Sequence, residues 1–233
     1  MNFENKTVLV TGAAGNLGQA VAAAFAAQGA RLVLLGRSVA SLQAALGEAG
    51  EQRLYVAADL LDGPQVAAAL AAAVQRFGRI DVLCNLAGGF RMGDAVHETT
   101  DSTWDFLMDI NARTLLNMAK SVVPHLLAHG GGKIVNVGAF AAQRGAAKMG
   151  AYCAAKSSVI RLTEAMAAEL REKNINVNCV LPTVIDTPEN RAAMPDADPS
   201  RWVAPADLAN VVVFLASDAA RAVHGAALPV TGL

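Results

Sequence analysis

The stretch Lys6-Thr7-Val8-Leu9-Val10-Thr11-Gly12-Ala13-Ala14-Gly15-Asn16-Leu17-Gly18-Gln19-Ala20-Val21 decides how the rest of the chain is read. A β-branched run closes on a glycine turn, and an Ala-rich segment of helical period opens from it. Small residues at such a turn let backbone N–H groups approach an anion, and the dipole of the following helix favours negative charge there. The pyrophosphate of a dinucleotide is the anion this order of strand, turn and helix fits.

The same rhythm continues outward from that unit. Apolar runs at 6–11, 31–35, 53–57, 80–84, 133–137, 175–180 and 227–230 read as strands, and segments of helical period at 16–28, 39–48, 64–77, 101–128, 151–173 and 205–216 read as helices. Strands that are apolar on both sides of the backbone suit a sheet covered on both faces. The expectation is an α/β chain: one Rossmann-type domain over residues 1–233, with a doubly wound parallel sheet of about seven strands and helices on both faces. Pro64 and Pro205 fit first-turn positions, Ser38 fits an N-cap, and glycines at 29, 50, 78 and 130 stand where helices should stop. The segment 182–205 holds prolines at 182, 188, 195, 199 and 205 and reads as a lid over a substrate, because ligands of open α/β sheets bind beyond the carboxyl ends of the strands.

Composition narrows the function classes. The chain has 233 residues, 54% of them hydrophobic and 17% charged, with a net charge of −1. A chain this long buries roughly 70–75% of its unfolded surface and needs no metal or disulfide staple. Cys84, Cys153 and Cys179 are odd in number and far apart, and the histidines at 97, 125, 129 and 224 are scattered, so no metal site is expected. Without a Lys/Arg-rich run a nucleic-acid partner is not expected, and no apolar stretch approaches a membrane span. The first residues do not make a signal peptide, so the expected location is the cytoplasm.

Two positions carry chemistry. At the end of the second strand, Gly36 stands where a carboxylate would bind a ribose 2′-hydroxyl, and Arg37 follows it; that pair favours NADP(H) over NAD(H). Tyr152 and Lys156 lie four apart on a helical segment and so share a face. A cation beside a phenol lowers its pKa and makes it a general acid or base nearer neutral pH.

Taken together, Thr11-Gly12 with its glycine turn, Asp59 after the third strand, Asn85-Leu86-Ala87-Gly88 after the fourth, Asn111, Tyr152-x-x-x-Lys156 and the run from Pro182 to Thr187 resemble the short-chain dehydrogenase/reductase family. The match runs in the right order over nearly the whole chain. It implies an NAD(P)(H)-dependent oxidoreductase acting on a small molecule. Gly12, Gly15, Asn16, Leu17 and Gly18 would line the pyrophosphate, Arg37 the 2′-phosphate, and Asp59 with Leu60 the adenine. By the same resemblance Asn85, Ala87 and Gly88 would border the adenosine ribose, and Pro182, Val184 and Thr187 the nicotinamide. Tyr152 would pass the proton, Lys156 would bind the nicotinamide ribose and lower the Tyr152 pKa, and Asn111 would hold a relay water from a kinked helix. A homodimer or homotetramer is implied as well.

Two departures qualify this picture. The middle glycine of the turn stands at Gly15, one place before the usual position, which is Asn16 here. The family serine thirteen residues before the tyrosine is Ala139, and loss of such a donor typically costs roughly 10²–10³ in rate. Quinonoid dihydropteridine reductases are similar to this chain in having that alanine and in the D-T-P-x-N-R, M-P-x-A-D and W elements of residues 186–202. A small cyclic substrate of that type is therefore one expectation, a carbonyl or 3-oxoacyl substrate the alternative, and a non-catalytic nucleotide sensor a third reading.

Overall fold

The side chains of Val8, Leu9 and Val10 point alternately to opposite sides of their strand, and all three are fully buried. Burial on both faces requires a layer of helices above and below, and the computed structural model, which describes residues 1–232, has that arrangement. Seven strands, β1 (Thr7–Val10), β2 (Arg31–Gly36), β3 (Arg53–Ala57), β4 (Val82–Asn85), β5 (Gly132–Val137), β6 (Ile175–Pro182) and β7 (Ala227–Val230), form one sheet in the order β3-β2-β1-β4-β5-β6-β7. Every pairing is parallel.

The helices are α1 (Asn16–Ala26), α2 (Val39–Leu46), α3 (Gly63–Phe77), α4 (Asp101–Met108), α5 (Thr114–Ala128), α6 (Gly150–Leu170), α7 (Pro188–Ala193) and α8 (Pro205–Ala216). Val8 and Val10 of β1, with Leu32 and Leu34 of β2, pack on Val21 and Phe25 of α1, Leu42 of α2 and Val212 of α8. Leu9, Val33 and Leu35 face the other way, onto Val66 and Ala73 of α3 and Met118 and Leu126 of α5. Because the strand order reverses between β1 and β4, the crevice beyond their carboxyl ends is where a ligand of this architecture binds.

Local signals explain most boundaries. The Ser38 hydroxyl accepts from the Ser41 N–H, and the Asp62 carboxylate from the Gln65 N–H. Gly78 closes α3 in the left-handed conformation. Four details differ from the sequence reading. Helix α2 stops at Gly47 (φ +77), not at Gly50. Strand β4 starts two residues later than 80–84 and ends one later, at Asn85; the Ile80 N–H is taken by His125 Nε2 at 3.0 Å. Segment 101–128 is split into α4, a π-helical turn (Asp109–Arg113) and α5. Finally, segment 182–205 contains the short helix α7, and its two arms are joined by the Val203 N–H to the Val184 carbonyl and the Asp186 N–H to the Val203 carbonyl. Among the described residues no helix is long and apolar enough to cross a membrane.

Candidate active site

Thr11 ties the glycine turn to the end of β4. Its hydroxyl accepts from the N–H groups of Leu86 (3.0 Å) and Ala87 (3.1 Å). This brings the two chains so close that a Cβ on Gly12, which has φ +65, would lie 3.0 Å from Ala87 backbone. A Cβ on Gly18 would lie 2.3 Å from the Gly12 carbonyl oxygen. Gly15 is different: a Cβ there would make only an ordinary 3.4 Å contact, and no side chain caps α1. The first N–H groups of α1 are therefore left without a side-chain acceptor, an arrangement that suits an anion.

Asn16, at the position where the family pattern has glycine, donates its amide to Glu189 Oε2 of α7 at 2.8 Å. Leu17 packs against the apolar core. Gly36 ends β2 against Leu42, whose side chain would lie 3.0 Å from a Cβ, and Arg37 is exposed beside it. Asp59 turns its carboxylate to the Leu61 N–H at 2.9 Å, and the Leu60 carbonyl accepts from Asn117. Asn85 is buried and donates to Asn136 Oδ1 at 2.9 Å, while its own Oδ1 has no protein partner. A close-packed glycine turn, an uncapped helix N-terminus and an orphaned buried carbonyl fit a dinucleotide held across β1 and β4.

The π turn has a local cause. The buried side chain of Asn111 donates to the Leu107 carbonyl four residues back (2.9 Å), so it competes with the backbone for that acceptor. The Thr114 N–H then reaches five residues back, to Asp109. The same amide donates to the Gly89 carbonyl and accepts from the Gly89 N–H. Gly88 sits between two polar groups: a Cβ there would be 2.9 Å from Asn111 Oδ1 and 3.1 Å from Lys156 Nζ. Asn111 and Lys156 are thus brought together, with Gly88 as the spacer.

Lys156 is buried and donates to the Val137 carbonyl at 2.9 Å. Burial brings its ammonium down from 10.5 to about 8, against the opposing pull of Cys179. Tyr152 lies one turn earlier on α6, its ring edge-on to Phe90 with centroids 4.8 Å apart. Burial, with the Cys153 thiol adding to it, pushes the phenol up to about 12. This is opposite to the lowering expected from a neighbouring lysine: desolvation outweighs any attraction from Lys156, whose amine is turned to Val137.

Ala139 is 5% exposed at the end of β5, and Ser157, the nearest later serine, donates its hydroxyl to the Ala142 carbonyl at 2.7 Å. Pro182 ends β6, the Val184 carbonyl accepts from Val203, and Thr187 caps α7 through the Asn190 N–H. The segments that carry Arg91 and Met149, which the sequence places near the substrate mouth, meet beside Tyr152 at a cavity of about 190 Å³; it is also lined by Lys148, which sequence reasoning missed.

The short chain dehydrogenase family model matches residues 6–198. The chain belongs to the short-chain dehydrogenase/reductase family. It is 35% identical to D-threitol dehydrogenase of Mycolicibacterium smegmatis, over 99% of this chain and 93% of that protein. It is 33% identical to the 3-oxoacyl-[acyl-carrier-protein] reductase of Thermotoga maritima, over 100% and 98%. Its fold is similar to that of the 3-ketoacyl-(acyl-carrier-protein) reductase of Brucella melitensis complexed with NADH, with TM-score 0.87, 32% identity and 97% of both chains covered. As a short-chain dehydrogenase/reductase the protein is an NAD(P)-dependent oxidoreductase, and the reading as a non-catalytic sensor gives way to that.

Proposed function

We propose that this short-chain dehydrogenase/reductase interconverts a ketone and a secondary alcohol on a small molecule, with NADP(H) favoured over NAD(H). The observation that carries the reading is Tyr152, a protonated phenol at the wall of a cavity beyond the strand ends, with buried Lys156 one helical turn behind it. Gly12, Gly15, Asn16, Leu17 and Gly18 would hold the pyrophosphate at the α1 N-terminus. Arg37, with no carboxylate at Gly36, favours a 2′-phosphate; Asp59 and Leu60 would border the adenine, and Asn85, Ala87 and Gly88 the adenosine ribose. Pro182, Val184 and Thr187 would flank the nicotinamide, with 182–205 covering the substrate. When bound, the nicotinamide supplies or accepts the hydride.

Tyr152 gives its proton to the substrate oxygen in reduction and takes it back in oxidation. Its raised pKa keeps that proton in place at neutral pH. Lys156 would hold positive charge near the ribose and phenol, and Asn111 would hold a relay water through its backbone at the π turn. The relatives named above act, by their names, on a polyol and on 3-oxoacyl chains, which supports a hydroxyl or carbonyl as the reacting group. A quinonoid dihydropterin stays as the second reading on one observation: Ala139 leaves no serine hydroxyl to a substrate carbonyl. Leu116 and Leu127 on α5 and Leu228 on β7 are exposed apolar residues that support assembly as a homodimer or homotetramer. The test is NADPH and NADH oxidation against a ketone panel and chemically generated quinonoid dihydropterin. Turnover on ketones upholds the first reading; turnover on the pterin alone replaces it with the second.

A further inference from the structure

Two loops meet beside Tyr152, and each brings one cation. The loop after β4 carries Arg91; the loop before α6 carries Lys148; the Gly93 N–H donates to the Lys148 carbonyl at 2.9 Å and joins them. The guanidinium carbon of Arg91 lies over the Phe106 ring, 3.8 Å from the centroid. A guanidinium held over a ring in this way is positioned by a contact that uses none of its N–H donors, so they stay free to bind an anion. Lys148 has φ +62, a left-handed conformation that L side chains seldom adopt and that clusters at ligand sites.

Among the described residues neither cation has a carboxylate within ion-pair distance, and neither side chain is hydrogen-bonded to the protein. Asp94 lines the same cavity, also without an ion-pair partner, so the lining carries two positive charges against one negative. The remaining wall is mixed, with Met92, Leu107 and Met149 beside Thr99 and Thr103. A cavity of about 150 Å³ accommodates benzene, and this one is about 190 Å³. It has room for a six-carbon ring or chain with one small charged group.

We infer that the substrate of this enzyme carries a carboxylate, held by Arg91 and Lys148 while its carbonyl or hydroxyl lies at Tyr152. The inference rests on the oxidoreductase reading for the reacting end and on the two cations for the other. A carboxylate presents two oxygens in a plane, which the Arg91 fork matches, and it is smaller than a phosphate ester.

Calorimetric titration of the protein with benzoate, benzamide and phenyl phosphate tests the charge preference without turnover. Benzoate is expected to bind at least tenfold tighter than benzamide, and Arg91→Met and Lys148→Gly each to bring the two near parity. Glycine adopts the φ of residue 148 freely, so that variant removes the cation without straining the fold. Equal affinity for acid and amide in the wild type, survival of the preference in both variants, or phenyl phosphate binding tighter than benzoate overturns the assignment. NAD(P)H oxidation with 4-oxopentanoate is followed in parallel. Absence of turnover beside an intact charge preference counts against the reaction and for the anion site.

Discussion

Lys156 donates its buried ammonium to the carbonyl of Val137 at 2.9 Å, and that contact carries a charge into the interior between β5 and α6. Its proton affinity falls from the ordinary 10.5 to about 8. Between those values the unfolded chain binds a proton that the native protein does not, so stability rises with pH. The contribution is fully present above 10.5 and is lost as pH falls through 8. In a comparison of wild type with Lys156→Met, unfolding free energies should shift in favour of wild type by about 2–3 kcal/mol between pH 7 and pH 10.5. Denaturant melts at both pH values measure this, and titrating groups that do not interact with Lys156 cancel in the difference. A constant difference would mean that Lys156 is not desolvated.

A Cβ on Gly88 would press on both Asn111 Oδ1, at 2.9 Å, and Lys156 Nζ, at 3.1 Å. Gly88→Ala should displace one or both, lower stability by about 1–3 kcal/mol, the usual cost of overpacking, and reduce kcat more than tenfold. Thermal denaturation and steady-state kinetics check both halves. An alanine variant with full activity would remove Asn111 and Lys156 from the proposed machinery.

Much of this was legible in the sequence, for reasons that differ by region. The strands read well because residues such as Val8 to Val10 are buried on both faces, which leaves an uninterrupted apolar run. The π turn was legible only through the family resemblance, which implies a kinked helix at Asn111; the helical pattern itself is unbroken there, and only the side-chain bond to Leu107 reveals the competition for that carbonyl. A polar, buried Asn in mid-helix was the available signal. Tyr152 and Lys156 were legible by spacing, yet their pKa directions were not: burial depends on Phe90 and on β5, which no spacing rule encodes. The cavity at Arg91 and Lys148 joins loops more than fifty residues apart in sequence and has no local pattern.

The contact between Asn16 and Glu189 places a carboxylate at the start of the helix that would bind pyrophosphate. Glu189→Gln keeps the hydrogen bond and removes the charge. Equilibrium fluorescence titration should show NADPH binding severalfold tighter in that variant, as expected for relief of like-charge repulsion near a helix N-terminus. Unchanged affinity would separate α7 from the cofactor site.

Arg37 is the test of cofactor choice. Exchange of an exposed cation for an anion next to a 2′-phosphate should lower the NADPH/NADH ratio of kcat/KM at least tenfold, since charge-assisted bonds are worth about 1.5–3 kcal/mol. A ratio that does not move in Arg37→Asp would take the 2′-phosphate away from this loop.

The central claim, proton transfer by Tyr152 during hydride transfer to a carbonyl, is tested most directly by single-turnover reduction of a ketone substrate with 4-deuterated NADPH, in wild type and in Tyr152→Phe. The account predicts deuterium at the carbinol carbon and a rate that falls about 10²–10⁴-fold in the phenylalanine variant, with NADPH binding retained. Transfer at the wild-type rate without the phenol would contradict it.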